Sequence, residues 1–498
     1  MTSETAHQDH SPAQDTYKWK ALLTVALGTM MATMDASITN IAFPVLTKVF
    51  QADLTTVMWV TVAFVLVSTS SMLIIGKIGD LMGRKRIYAL GMGIFTLGLV
   101  VCSLAHTIGQ LIFFRTLQAV GAAMTISTST AIVTEAFPRN EVGRGIGFLG
   151  MSVSVGFILG PILGGFLLDW LDWRSIFYVR APVSLMGFFL ALFLLKMDQV
   201  RGGGIKLDLL GTLTSSAGIF LFVFGVSQIR QHGLSSSRVH LILGLGMIFL
   251  ILFILVERQA RDPIVDLGLF KNQVFSSAMW ALFLTFVAAP PYILIMPFYL
   301  IQGRLMNPAQ AGMLMAVTSM VTMVIGPLSG TLSDRHGPFR FSAIGAGAIG
   351  AAYGLMFAFD VQTPLTFLIP VLLLLGIGIG SFHPSNNSIV MGAVARDRLG
   401  TASALIATLR QVGIAAGMAV TGTFFSARLI VHKSMLHQEG LSAASVESLS
   451  IPQAFHDALI LAICLQCIVF VLCFVRGKKA SSRAGKNDPQ PRQANNPT

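Results

Sequence analysis

Residues 156–165 read Gly156-Phe157-Ile158-Leu159-Gly160-Pro161-Ile162-Leu163-Gly164-Gly165. In a helix, Gly156, Gly160 and Gly164 share one face without side chains, so another helix can approach to near backbone contact. Pro161 removes one backbone N–H and disturbs the helix. A bilayer tolerates this combination better than water, because neighbouring helices re-satisfy the freed backbone groups. The segment therefore indicates a kinked, closely packed membrane helix.

The composition of the whole chain agrees with a membrane environment. The chain has 498 residues, 54% hydrophobic and 11% charged, with a mean hydropathy of +0.74. Soluble domains are about 25% charged. The formal charge of +12 then reflects basic loops on one side of a membrane and gives no reason to expect nucleic acid as a partner. The four cysteines lie in apolar runs and read as packing residues, with no disulfide framework implied.

A hydropathy window identifies the individual spans. A bilayer core needs about 20 mostly apolar residues per helix. With that window we predict an all-α integral membrane protein with fourteen transmembrane helices, at roughly 21–43, 56–75, 87–105, 110–133, 145–168, 176–195, 207–228, 239–256, 275–300, 309–332, 341–359, 365–386, 401–426 and 456–475. Residues 1–18 and 477–498 are predicted to be disordered tails, and 428–455 a polar external loop.

The loop charges give an orientation. Lys and Arg concentrate in alternate loops, as in Arg84-Lys85-Arg86, and in a C-terminal group at 476–492. The opposite loops carry few, such as Lys48 and Arg174. Because basic loops remain cytoplasmic, both termini are predicted to be cytoplasmic.

Two internal correspondences indicate a repeat. The segment Gly76-x-x-x-Asp80-x-x-Gly83 recurs as Gly330-x-x-x-Asp334-x-x-Gly337, at an offset of 254 (330 − 76). Gly156 and Gly160 match Gly413 and Gly417, at an offset of 257 (413 − 156). Repeats in transporters mark two halves around a central site. We therefore predict two six-helix bundles as parallel repeats, at 19–200 and 271–476, with two inserted helices at 201–270.

The repeat is incomplete in one place. Pro161 aligns with Met418, and Gly164-Gly165 with Thr421-Gly422. Pro161 and the third stacked glycine are therefore features of the first half alone. We predict that Pro161, Gly164 and Gly165 let their helix seal against the opposite half.

Charged residues inside the spans are the candidates for chemistry. Asp35 lies midway along the first span, where a carboxylate is costly and should face a cavity or a partner. Burial disfavours its charged form and a nearby cation favours it, which is the competition that a proton-coupling site needs. Arg115 cannot lose its proton and is the expected partner, on one helix face with Gln118. Arg410 lies too deep in the thirteenth span to snorkel, so we predict a cavity or interface role. A packing role for Asp35 is the alternative.

The repeated loop is a candidate conformational latch. Its glycines allow a tight turn, and its aspartate can cap a helix N-terminus. A turn that only carries basic loop residues is the alternative, but it leaves the repeated aspartate unexplained. The candidate latch residues are Gly76, Asp80, Gly83, Arg84, Glu135, Arg144, Asp334 and Arg335.

Several of these motifs together resemble the major facilitator superfamily, specifically its fourteen-helix drug:proton antiporter branch. The resemblance rests on Met34 to Pro44, Gly76 to Arg86, Arg115-x-x-Gln118-x-x-Gly121 and Gly156 to Gly165, the last being similar to the antiporter motif. It implies the superfamily fold and proton-driven efflux by alternating access, with Asp35 exchanging protons and Arg115 as its charge partner. It also implies a monomer in the plasma (inner) membrane, acting on small lipophilic substrates and protons.

The chain departs from the branch at a few positions. Arg180 stands where the branch commonly has Asn, and Ala119 where it usually has Gly. We expect Arg180 to lie near the membrane interface at the start of its span and to alter either the external mouth or the substrate range.

The alternatives are other kinds of membrane protein. They are an exporter of one native metabolite or lipid, a nutrient symporter, and a membrane sensor that transports nothing. The polar stretch 428–455 is a candidate docking surface for a periplasmic adaptor, with a linker as the alternative. The sequence shows no metal-spaced His/Cys group, phosphate loop or catalytic triad, so we predict no enzyme activity, cofactor or metal.

Overall fold

The computed structural model describes residues 12–138, 141–196, 209–233, 236–259, 267–394 and 399–484, without the side chains at some helix positions within them. All described elements are helices. The α-helices are α1 Pro12–Val49, α2 Leu54–Met82, α3 Arg84–Ser103, α4 Ile108–Ala136, α5 Val142–Trp170, α6 Ser175–Tyr178, α7 Ala181–Leu194, α8 Leu209–His232, α9 Ser237–Gln259, α10 Gln273–Val287, α11 Met296–Phe298, α12 Pro308–His336, α13 Pro338–Met356, α14 Leu365–Gly392, α15 Leu399–Gln438 and α16 Ala443–Ala484. Two π-helical turns, Pro291–Ile295 and Tyr299–Gly303, flank α11.

The predicted all-helical membrane fold is confirmed. Within the described ranges, twelve helices are long and apolar enough to cross a membrane. The predicted spans at 207–228 and 341–359 are also helical, as α8 and α13, but are not among the twelve. The sequence of α13 is rich in glycine and alanine, which contribute little hydropathy.

The helices pack as two groups that contact each other through α5 with α12 and α2 with α15. Helices α1–α7 contact one another, and so do α10–α16. Helices α8 and α9 pack together, and α8 lies against α2 of the first group and α15 of the second. The turn glycines of the repeat share one backbone conformation, with φ, ψ of 96°, 127° at Gly83 and 93°, 128° at Gly337. A side chain is strained at such φ values, which explains a glycine in both copies.

The two groups meet at one end of the helices, formed by the connections at 50–53, 171–174 and 304–307, which we call the sealed end. The described hydrogen bonds between the groups all lie here. Thr55 Oγ1 is 3.4 Å from Ser426 Oγ. The Gln302 side chain donates to the Pro44 carbonyl at 3.2 Å and lies 3.4 Å from Thr47 Oγ1.

Three predicted non-helical segments are wrong in part. Helix α1 already begins at Pro12, within the predicted tail, because its first turns are anchored: Lys18 pairs with Glu141 at 2.7 Å, and Trp19 packs on Phe137. Helix α16 continues past Arg476 to Ala484, through Lys, Ala and Arg, which are strong helix formers. The rest of both tails lies outside the described residues.

The predicted external loop 428–455 is the third segment for which the prediction is wrong in part. Its residues belong mostly to α15 and α16, which continue as a helical hairpin around a short turn that contains Gly440 at φ +76°. Asp457 bridges the two helices of the hairpin, accepting hydrogen bonds from Arg428 at 2.5 Å and from the His432 ring at 2.7 Å.

Candidate functional site

A buried charge cluster surrounds Asp35 in the middle of α1. The carboxylate has no exposed surface. Its Oδ2 accepts a hydrogen bond from Arg115 Nη1 at 2.6 Å. Its Oδ1 accepts from Gln118 Nε2 at 3.0 Å and from Arg180 Nη1 at 2.7 Å. One carboxylate therefore ties α1 to α4 and to the residue that precedes α7.

Helix α4 positions two of these groups. Arg115 and Gln118 are three residues apart, so both side chains leave the same helix face. Arg115 Nη1 also donates to Gln118 Oε1 at 2.7 Å, and its Nε donates to the Val60 carbonyl of α2 at 3.2 Å. The guanidinium carbon lies 4.3 Å from the centre of the Phe64 ring. These contacts hold the guanidinium in place beside Asp35.

Arg180 lies deeper in the protein than the sequence predicts. We expected it near the membrane interface, but it is 3% exposed and forms an ion pair with Asp35. It lies in the break between the short helix α6 and α7, and its Nε donates to the Ile176 carbonyl. The break turns the side chain inward instead of leaving it at the membrane boundary. The sequence around Arg180 carries no signal of that direction, because its partner Asp35 is 145 residues away in the chain.

Arg410 does not join this cluster. It lies on α15 in the second group, exposed, with no ion pair recorded among the described residues. Elsewhere in the second group, the His383 ring of α14 stacks on Phe286 of α10, with 4.8 Å between ring centres.

The glycines of α5 contact two different helices, α1 and α12. A Cβ at Gly156 or Gly160 would clash with the side chain of Thr33 or Ser37, and one at Gly164 would lie 2.6 Å from Ile38 Cγ1. All three therefore allow α5 to lie against α1, on both sides of Asp35 along the chain. Gly164 was expected at the opposite half, and that expectation is wrong, because its face points to α1.

The residues that reach the opposite half are Pro161 and Gly165. A Cβ at Gly165 would clash with the carbonyl oxygen of Pro308, and one at Gly312 of α12 with the carbonyl oxygen of Pro161. This is backbone-to-backbone contact between α5 and α12 at the sealed end. Helix α5 therefore connects the helix that carries Asp35 to the contact between the two groups.

The second group repeats this arrangement. Gly413 and Gly417 let α15 lie against α10, where their Cβ atoms would be within 3.0 Å of backbone atoms of Phe283 and Val287. Gly422, at the position that matches Gly165, meets the Met58 side chain of α2 in the other group. Only Pro161 and Gly164 are therefore without a counterpart, whereas Gly165 has one.

The candidate latch is described in part. Arg84 pairs with Glu135 at 3.3 Å, and the Arg144 guanidinium lies over the Trp19 ring at 5.2 Å. Arg335 is exposed. Gly76 begins the last turns of α2, while the side chains of Asp80 and Asp334 lie outside the described ones. The described His, Cys, Asp and Glu side chains include no group of three that could hold a metal.

Comparison with known proteins identifies the family. The model of the Major Facilitator Superfamily matches residues 25–418. The chain belongs to this superfamily. It is 32% identical over 433 residues to the riboflavin transporter RibZ of Clostridioides difficile (strain 630), covering 86% of this chain and 93% of that protein. It is 31% identical over 410 residues to the multidrug resistance protein Stp of Mycobacterium tuberculosis (strain CDC 1551 / Oshkosh), covering 82% and 76%.

Solved structures agree on the fold. A bacterial homologue of the human lysosomal transporter Spinster, inward-facing and unoccupied, superposes with a TM-score of 0.63 at 17% identity, covering 94% of this chain and 98% of that one. This superfamily member is a multi-pass membrane transporter of small molecules and not an enzyme.

Proposed function

We propose that this superfamily member exports lipophilic drugs or other toxic compounds in exchange for protons. The observation that carries the proposal is the buried Asp35 carboxylate, tied by ion pairs to Arg115 and Arg180 and linked through α5 to the sealed end. The name of Stp supports the same assignment.

The coupling follows from what protonation removes. A neutral Asp35 forms no ion pair with either arginine, so α1 loses its strongest contacts with α4 and Arg180. Breaking a buried ion pair costs about 3–5 kcal/mol. Moving a two-state equilibrium from 1:99 to 99:1 takes about 5.5 kcal/mol. Protonation of Asp35 removes two such pairs, so its effect is of the order needed to switch the transporter between its states.

Helix α5 carries the change to the sealed end. Its glycine face lies directly on the turns of α1 around Asp35, and Pro161 and Gly165 lie on α12. We propose that a proton from outside favours the outward-open state and substrate release, and that its loss inside restores substrate affinity. Proton and substrate then favour opposite states, as exchange requires. We propose that Arg410, exposed on α15, faces the substrate cavity from the second group.

The proposed setting is the plasma (inner) membrane, with both termini in the cytoplasm and the protein active as a monomer. The basic residues of alternate loops support this orientation. The helical hairpin at 428–455 would then project on the external side, where a periplasmic adaptor could dock.

Asp35→Asn tests the proposal. The change keeps the shape of the side chain and removes the group that binds the proton. The purified protein is placed in vesicles with an imposed pH gradient. Vesicles with wild-type protein should accumulate a lipophilic fluorescent compound, and vesicles with Asp35→Asn should not. The two proteins should give the same size-exclusion profile. Gradient-driven accumulation at the wild-type rate by the variant would contradict the proposal.

The second candidate is an exporter of one metabolite, which the name of RibZ favours. Growth of an efflux-deficient host on a panel of toxic compounds separates the two. Protection against several unrelated compounds supports a drug exporter, whereas riboflavin movement alone supports a metabolite exporter.

A further inference from the structure

The charges of the Asp35 cluster do not balance. One carboxylate faces two guanidinium groups, which leaves one net positive charge when Asp35 is ionised and two when it is neutral. The exposed fractions of Asp35, Arg115 and Arg180 are 0%, 0% and 3%. Burying an uncompensated charge is strongly unfavourable, and an arginine cannot give up its proton to avoid it. The cluster therefore needs a further negative charge.

Each arginine also keeps a donor for such a charge. The Nη2 atoms of Arg115 and Arg180 are buried and have no hydrogen-bond partner in the part of the chain that the structure describes. Arg115 is partly compensated by the Phe64 ring at 4.3 Å. The Phe177 ring lies farther from Arg180, at 5.8 Å, so the Nη2 edge of Arg180 is the less compensated of the two.

The elements around the cluster do not supply the missing charge. Helix α2 contributes the Val60 carbonyl, α4 the neutral Gln118, and α3 Cys102, whose Sγ is 3.8 Å from Gln118 Oε1. Among the described hydrogen bonds and ion pairs of the two arginines, Asp35 is the one acidic partner. The full burial of the cluster favours a small ion over an organic group.

We propose that a chloride ion, or another monatomic halide, binds at Arg180 Nη2 and neutralises the cluster. This anion site is distinct from the proton-binding carboxylate of Asp35, and its existence does not depend on proton-coupled export. With the anion present, the ionised cluster is neutral and protonation of Asp35 takes it to one positive charge instead of two. Arg180 is then an anion-binding residue, and the stability of the protein depends on an inorganic anion.

The charge arithmetic gives variants with opposite effects. Arg180→Asn leaves one carboxylate and one arginine, so the anion is no longer needed. Asp35→Asn leaves two arginines without a carboxylate, so the anion binds more tightly. Arg180→Lys keeps the charge and should keep the response. Arg174→Asn is the matched control, because Arg174 lies nearby in sequence but beside Asp172, at 3.7 Å.

The test measures thermal unfolding of the purified full-length protein in detergent, with chloride replacing gluconate at constant ionic strength. Wild type and Arg174→Asn should show a saturable rise of about 2–4 °C, since a ligand that binds only the folded state stabilises it. For Asp35→Asn, the chloride concentration that gives half of the maximal rise in unfolding temperature should be at least about tenfold lower than for wild type. Arg180→Asn should show no rise.

Line broadening of the 35Cl NMR signal provides a direct readout on the same samples. Wild-type protein should broaden the line and Arg180→Asn should not. An equal response of all variants would indicate a general salt effect and overturn the proposal, as would the absence of both broadening and stabilisation in wild type. Either outcome leaves proton-coupled export standing, because that is tested by Asp35→Asn in vesicles.

Discussion

Replacing Gly165 with alanine would disturb a backbone-to-backbone contact at the sealed end. The new Cβ would clash with the carbonyl oxygen of Pro308 and lie 3.0 Å from Cα of Ala309. Both are backbone atoms, so neither can rotate away. Overpacking of this kind costs about 1–3 kcal/mol. The strain exists only while α5 and α12 are in contact, so the substitution should shift the protein toward opening at this end by roughly 5–150-fold.

Cysteine accessibility measures that shift. Thr55 is 5% exposed and lies 3.4 Å from Ser426 across the two groups, so Thr55→Cys becomes accessible only when the sealed end opens. The exposed native Cys464 and Cys467 are replaced by alanine to remove background. The rate of reaction with a membrane-impermeant maleimide should rise in Gly165→Ala by the factor given above.

Two further alanine variants make the result interpretable. A Cβ at Gly109 meets nothing within 4 Å, so Gly109→Ala should label at the parental rate. A Cβ at Gly422 meets the flexible Met58 side chain, which can move, so Gly422→Ala should fall between the two. The reasoning would be refuted if Gly165→Ala were labelled no faster than Gly109→Ala.

The remaining predictions concern stability. Gly160→Ala should lower the free energy of unfolding by about 1–3 kcal/mol, because the new Cβ separates α5 from α1. Gly150→Ala on the same helix is the control, since its Cβ would meet nothing within 4 Å. Thermal unfolding in detergent compares the two variants, and equal midpoints would contradict the packing argument. Asp457→Asn should cost less than about 1 kcal/mol in the same assay, because its contacts to Arg428 and His432 are partly exposed, and a larger loss would show that the hairpin depends on them.

Much of the fold could be predicted from the sequence because the bilayer constrains it. Apolar length and basic loops define helices, and the offset of 254 relates turns whose glycines, Gly83 and Gly337, share one conformation. The same window failed at 428–455, because a helix that leaves the bilayer becomes polar without ending. Hydropathy reports the surrounding solvent and not the backbone conformation.

The sequence predicts only those site residues whose charge is unfavourable to bury in a membrane without a partner. Asp35 and Arg115 each had to find a partner inside the membrane, and the pairing of the two followed from their opposite charges. Arg180 lies 145 residues from Asp35 and near the start of its span, where a cation can also reach the interface. Only the break between α6 and α7 shows that it points inward, and no local pattern encodes that direction.

The two contacts across the sealed end differ in stiffness. The stiffer contact is made by α5, in the group of helices that also carries Asp35. Gly165 brings backbone against backbone, whereas its counterpart Gly422 meets the side chain of Met58, which adapts readily. A rigid contact transmits a displacement and an adaptable one absorbs it. Helix α5 joins the rigid contact to the turns of α1 around Asp35, and we propose that ionisation there acts on the sealed end through α5. The difference in labelling between Gly165→Ala and Gly422→Ala therefore measures how unequally the two halves hold the sealed end closed.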